Sequence, residues 1–129
     1  MYDKLIPFIL SIPLIAFNFS SNLASNTPEP PKVDIVAWQD LVPENDYVLK
    51  RIIQEESSGN PEAINPKDTD GFPKYGLLQY HLPTFLSWAE KVGIEEPDVM
   101  NPVQQLIVYK WAAKNGKLRH WGTFVRMFP

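Results

Sequence analysis

The chain has 129 residues, 12% aromatic residues, a formal net charge of −3 and no cysteine. That suits one globular domain and excludes disulfides and thiolate-bound metals. No basic patch of the kind that tracks a phosphate backbone stands out, so no nucleic-acid partner is expected.

The first segment, "MYDKLIPFILSIPLIAFNFSSNLAS", sets Lys4 ahead of an apolar run from Leu5 to Phe19. The run is shorter than the roughly 20 residues that span a bilayer, and Pro7 and Pro13 interrupt it. Residues 1–24 therefore read as an export signal cleaved near Ala24. An uncleaved membrane anchor and a buried helix are the alternatives. On the first two readings the protein works outside the cytoplasm, at the cell envelope or beyond it. Residues 25–42 follow as a linker, with Pro28, Pro30 and Pro31 favouring an extended spacer. "DIVAWQDLV" within that stretch is ambiguous between linker and a short packed element. The folded domain is expected over residues 43–129.

Within it, Asn45 or Asp46 caps a first helix that runs to about Ser57, where Gly59 and Asn60-Pro61 stop it. "AINPKDTDGFPKYG" is loop material with a turn at Asp70-Gly71. "YGLLQY" reads as a brief extended segment. A second helix begins at Pro83 and ends at Val92 before Gly93, with Phe85, Leu86, Trp88, Ala89 and Val92 as its apolar set. A third starts from Asn101 as N-cap, with Pro102 in the first turn and Gln104 in the capping-box position, and stops at Asn115-Gly116. Its apolar set is Val103, Leu106, Ile107, Tyr109, Trp111 and Ala113. These elements describe a mainly α fold with a short loop or β-like segment. At about 85 residues it is large enough to fold alone.

The end of the first helix carries two adjacent glutamates, in "IIQEESSGNPEAIN". On a wheel of about 100° per residue, Val48, Leu49, Ile52 and Ile53 form the apolar face. Glu56 falls near the middle of that face, one turn beyond Ile52. Glu55 falls at its edge, one turn beyond Arg51. Glu55 is then a solvated carboxylate with an i,i+4 partner, replaceable at little cost. Glu56 ends a buried stripe, where desolvation raises a carboxyl pKa. A carboxylic acid kept protonated near neutral pH is what a general acid requires. The competing reading is a frayed last turn with Glu56 as an ordinary surface residue.

Downstream residues bear on that choice. Glu56-Ser57, Asn60-Pro61 and Ala63-Ile64-Asn65, followed by Gly76-Leu77-Leu78-Gln79 and Thr84, resemble the motifs of the soluble lytic transglycosylase family, within the lysozyme-like superfamily. The resemblance spans about Tyr47 to Ala113. It implies a small helical fold of the goose-type lysozyme and lytic transglycosylase kind, with peptidoglycan glycan strands as partner and substrate. The bond cleaved would be the β-1,4 link between N-acetylmuramic acid and N-acetylglucosamine, with Glu56 as the one catalytic residue. In that family the glutamate protonates the glycosidic oxygen, then takes the proton of the muramoyl C6 hydroxyl as a 1,6-anhydro ring closes. No second carboxylate is then required, unlike the paired-carboxylate glycosidases.

The resemblance also assigns Ser57, Gly76, Leu78, Gln79 and Tyr80 to substrate binding. Each has a plainer reading beside it. Ser57 is as well placed to bond its own helix end, and Gly76 to serve a turn. Tyr75 and Tyr80 are candidates for stacking on sugar rings, with core packing favoured for at least one. Asp68 and Asp70, in "KDTDG", read as turn residues before they read as a second carboxylate. His81 and His120 are too few and too far apart in sequence for a histidine metal centre. No cofactor or metal is expected, and the chain is expected to be a monomer.

One departure is visible. Many members carry a third motif, Ala-Tyr-Asn-x-Gly, whose tyrosine contacts the glutamate. Here the chain reads "KLRHWGTFVRMFP" instead, with His120 and Trp121 in the corresponding region. Trp121 either floors the cleft or closes the core, the latter being favoured. The departure keeps two alternatives open, a lysozyme-type hydrolase in which water replaces the C6 hydroxyl and a glycan-binding module without turnover. A phage-like endolysin is a further alternative, disfavoured by the signal-like N-terminus.

Overall fold

The computed structural model describes residues 37–129. The expected export signal or anchor, and the linker up to residue 36, lie outside the described residues. The fold is mainly helical. Its helices are α1 (Tyr47–Ser57), α2 (Leu82–Val92), α3 (Pro102–Lys114) and the short α4 (Gly122–Met127), with 3-10 turns at Trp38–Leu41 and Leu118–His120. Two-residue strands β1 (Ile64–Asn65) and β2 (Lys74–Tyr75) pair antiparallel, Ile64 opposite Tyr75 and Asn65 opposite Lys74. Helix α2 packs on α3, α4 packs on α1, and the first 3-10 turn packs on α3. Among the described residues no helix is long and apolar enough to cross a membrane.

Local chemistry accounts for the helix ends. Asp46 caps α1, its Oδ1 accepting from the Leu49 amide at 2.9 Å. The helix stops at Ser58 and Gly59, both at positive φ (53° and 78°). Asn101 caps α3 by accepting from the amides of Val103 and Gln104 at 3.0 and 3.2 Å. The second half of the expected capping box is not made. Gln104 instead accepts from the Asp98 amide at 2.7 Å and donates to the Glu96 carbonyl at 3.1 Å, because the Asn101 amide is already taken by the Asp98 carbonyl. Helix α2 starts at Leu82, one residue before the expected Pro83.

Leu49, Ile52 and Ile53 of α1 point into the core. So do Phe85 and Ala89 of α2, while Leu86, expected with them, is 41% exposed. The buried face of α3 is Gln105, Leu106, Val108, Tyr109 and Ala112. Expected members Ile107 and Ala113 face outward. The true stripe of positions 105, 108, 109 and 112 has i, i+3, i+4, i+7 spacing, and it opens on a glutamine. Trp38 and Val42, on the linker side of the expected start at Pro43, lie half-buried against this core.

"YGLLQY" is a closed turn rather than a simple extended run. Tyr75 and Tyr80 exchange two backbone hydrogen bonds of 3.0 Å, and the Gln79 amide bonds to the Gly76 carbonyl at 3.2 Å. The carboxamide of Gln105 holds that turn from below. Its Oε1 accepts from the Leu78 amide at 2.8 Å, and its Nε2 donates to the carbonyls of Tyr75 (2.9 Å) and Val99. Gly76 has φ 78°, and a Cβ there would collide with the Gln105 amide nitrogen. Glycine is therefore required twice over, by backbone conformation and by the glutamine beneath it.

Gln105→Leu keeps the volume and removes every one of these bonds. Buried backbone groups left without partners cost about 1–3 kcal/mol each, so a loss of at least about 2 kcal/mol is expected in urea unfolding. A loss within about 0.5 kcal/mol would contradict the clamp.

Candidate active site

Glu56 sits in the last turn of α1, partly buried. Its pKa is raised, chiefly by burial; the Lys74 ammonium opposes the shift and the Asp68 carboxylate adds to it. Lys74, on β2, is paired with Asp68, whose other oxygen accepts from Asn65 Nδ2 at 3.2 Å. The Lys74 hydrogen bond, followed by the Thr69 amide, lowers the Asp68 pKa. Asp70 is engaged too. It accepts from the Phe72 amide at 3.0 Å and pairs with His81 Nε2 at 2.9 Å. Both aspartates thus build the turn around Gly71.

Glu55 has the opposite environment. The expected Arg51 partner is present, Nε to Oε1 at 2.6 Å. Its second oxygen accepts from Thr123 Oγ1 at 2.9 Å and from Arg126 Nη2 at 2.5 Å. Hydrogen bonds from Arg51, then Arg126 and Thr123, lower its pKa to about 2. The two α4 partners lie 68 and 71 residues away along the chain. Glu55 is therefore a tertiary contact as well as the solvated partner of Arg51.

The other candidates occupy distinct places. Ser57 Oγ donates to the Ile53 carbonyl at 3.2 Å, the helix-end bond of its two readings. Gln79, 6% exposed and at φ 52°, donates through Nε2 to the carbonyls of Ala63 (3.1 Å) and Gly76 (2.9 Å). It stitches the turn to the end of the loop after α1. Leu78 and Tyr80 differ from the expectation of substrate contact. Both side chains are 0% exposed. The Leu78 amide is bound by Gln105 and its carbonyl by Trp121 Nε1 at 2.9 Å, while the Tyr80 hydroxyl donates to the Gln105 carbonyl at 3.2 Å. They pack the turn and offer a ligand no surface. Tyr75, by contrast, lines an open groove of about 640 Å³ with Phe72, His81, Leu82 and Pro83.

Trp121 is 2% exposed and belongs to the core, 5.4 Å from both Tyr80 and Tyr109 between ring centroids. His120 is half-buried beside it, stacked on Tyr80 at 6.1 Å and 6.3 Å from His81. Burial, then the charges of His81 and Lys74, lower its pKa to about 4, so its ring is neutral at neutral pH. A groove of about 290 Å³, lined by residues including Leu41, Leu49, Ile107 and Tyr109, lies elsewhere and contains none of the candidate residues.

Sequence reading missed Gln105, the α4 partners of Glu55, and Lys74 as the cation acting on Glu56. Only Gln105 had a signal: it starts the i, i+3, i+4, i+7 stripe of α3.

The segment that holds Glu56-Ser57, the β1–β2 hairpin and the Gly76–Gln79 turn can be set against known families. A family model described as "Transglycosylase SLT domain" matches residues 37–109. The chain belongs to this family. No curated protein and no solved structure matches it. As an SLT-family enzyme of the lysozyme-like superfamily, it is a lytic transglycosylase in the general sense, a glycosidic lyase acting on peptidoglycan. The match runs from the first 3-10 turn into α3 and ends before Leu118–Met127.

The Glu56 shift has a stability consequence. A carboxyl whose pKa is higher folded than unfolded holds its proton more tightly in the folded chain. Stability therefore falls as pH rises from the unfolded pKa through the folded one. Glu56→Gln is expected to melt above the wild type at pH 7, with the gap closing below about pH 4. A variant less stable than wild type at pH 7 would contradict the buried, proton-binding environment.

Proposed function

We propose that Glu56 is the catalytic acid of this SLT-family enzyme. It cleaves the β-1,4 bond between N-acetylmuramic acid and N-acetylglucosamine, leaving 1,6-anhydro-muramoyl ends. The observation that carries this reading is the division of labour among the carboxyls. Burial raises the Glu56 pKa, while Glu55, Asp68 and Asp70 are committed to partners. One carboxyl is shifted toward its protonated form by burial, and the other three are engaged by partners rather than left to activate water on the opposite sugar face.

The reaction balances with a single residue. Glu56 gives its proton to the glycosidic oxygen as the C1–oxygen bond breaks. The substrate's own acetamido group stabilises the positive charge at C1. Glu56, now a carboxylate, takes the proton from the C6 hydroxyl as oxygen 6 bonds to C1. The acid is restored and no water is consumed. An intramolecular nucleophile avoids the entropy cost of capturing a separate water. In the deprotonated interval, Lys74 favours the carboxylate and Asp68 tempers that effect. Ser57 and Gly76 are the motif positions left to face the glycan, while Gln79 holds the turn to the loop after α1. The Ser57 oxygen keeps acceptor capacity beyond its one donated bond. A peptidoglycan substrate supports a location at the cell envelope, and residues 1–24 are the proposed route of export.

The test is digestion of purified cell walls followed by mass spectrometry. Wild type is expected to release anhydro ends, and Glu56→Gln to lose at least about a thousandfold in rate while staying folded. Reducing ends, heavier by one water, would assign a lysozyme-type hydrolase. An active Glu56→Gln would remove the assignment.

A further inference from the structure

The segment Leu118–Met127 lies beyond the residues that match the family, yet it touches both motif-bearing elements. Trp121 donates its indole N–H to the Leu78 carbonyl at 2.9 Å, inside the Gly76–Gln79 turn. Two residues on, Thr123 donates to Glu55 at 2.9 Å, in the last turn of α1. Trp121 and Thr123 are 2% and 1% exposed, so both anchors are held by packing. Arg126 binds the same Glu55 oxygen and also donates to Thr123 Oγ1 at 3.2 Å, closing a three-membered clasp.

We propose that Glu55 is a positioning residue for the reaction: its carboxylate ties α4 to the last turn of α1, and the segment Leu118–Met127 thereby fixes Glu56 against the Gly76–Gln79 turn. This rests on Glu56 being the catalytic acid. The physical reason is that the last turn of α1 needs a second support. Ile52 and Ile53 hold it from the core side. Directly after it, Ser58 and Gly59 turn the chain away at positive φ while their amides close on the Gln54 and Ile53 carbonyls, so no further helical turn continues beyond Glu56 to hold it. The clasp supplies that support at the edge of the buried face, through Glu55, and it borrows rigidity from the Trp121 anchor on the turn. A displacement of 1 Å at a reacting group can cost on the order of a hundredfold in rate.

A clasp that merely stabilised the fold would leave turnover by folded molecules unchanged. A positioning clasp would not. The charged groups acting on Glu56 are Lys74, Asp68, Arg126 and Glu55 itself. Neutralising Glu55 removes an anion and leaves Arg126 uncompensated. Both changes favour ionised Glu56, so the alkaline limb of the rate profile moves to lower pH.

The experiment measures kcat, KM and the pH profile on soluble glycan strands for full-length wild type, Glu55→Gln, Glu55→Asp, Thr123→Val and Glu56→Gln, below their melting temperatures. Expected for Glu55→Gln is a kcat loss of about 10- to 100-fold, KM within about twofold and an alkaline limb at lower pH, with partial recovery in Glu55→Asp. Thr123→Val should lose less. Wild-type kcat and profile in Glu55→Gln, with lowered thermal stability alone, would overturn the proposal. Should Glu55→Gln not fold, Thr123→Val decides by its kcat alone, since it removes both hydrogen bonds of Thr123 Oγ1 at nearly constant volume and keeps the Glu55 charge. Turnover in Glu56→Gln would overturn the underlying reading, whatever the Glu55 variants do.

Discussion

The carboxamide of Gln105 is the constraint from which the Gly76–Gln79 side of this domain is built. One buried side chain on α3 binds three backbone groups in two stretches of chain: the Leu78 amide and the Tyr75 carbonyl of the turn, and the Val99 carbonyl. The main-chain carbonyl of Gln105 accepts from the Tyr80 hydroxyl. A buried amide is favourable when fully partnered and costly when partly so. The arrangement is therefore satisfied only with the Gly76–Gln79 turn in one conformation, which in turn leaves no room for a side chain at position 76. The turn then presents Gln79 toward the loop after α1 and hides Leu78 and Tyr80.

Two chemically identical neighbours are shifted in opposite directions. Glu55 is held ionised by two guanidinium groups and a hydroxyl. Glu56, one residue on, is turned toward low-dielectric surroundings that disfavour its charge. Neither state comes from the peptide sequence alone. The 100° step of the helix separates the two carboxyls onto different faces, and the fold supplies each face with different partners. This is how a single helix end can carry both a structural anion and a carboxyl whose charge is disfavoured by burial.

Elements with local causes were legible in the sequence. Asp46 and Asn101 announce helix starts because the cap bonds form within three residues. Glu56 at the end of the Ile52–Ile53 stripe could be separated from Glu55 because helical phase is local. Thr123 and Arg126 could not be assigned to Glu55, since nothing nearby in the chain marks a contact of such long sequence separation. Leu78 and Tyr80 lay inside a motif, but the motif does not say which way a turn faces. Gln104 was given a capping role that the Asp98 carbonyl had already filled. Gln105 was overlooked because a polar residue at the head of an apolar stripe looks like its edge until the backbone it clamps is known.

The asymmetry between the two glutamates is the claim on which the functional account stands, and it can be measured without substrate. Carbon-13 NMR of glutamate-labelled protein follows each side-chain carboxyl through a pH titration, with Glu55→Gln and Glu56→Gln identifying the two resonances. The account predicts that Glu56 titrates above the ordinary glutamate range and Glu55 at about 2. Both titrating together in the ordinary range, or Glu56 below Glu55, would contradict it.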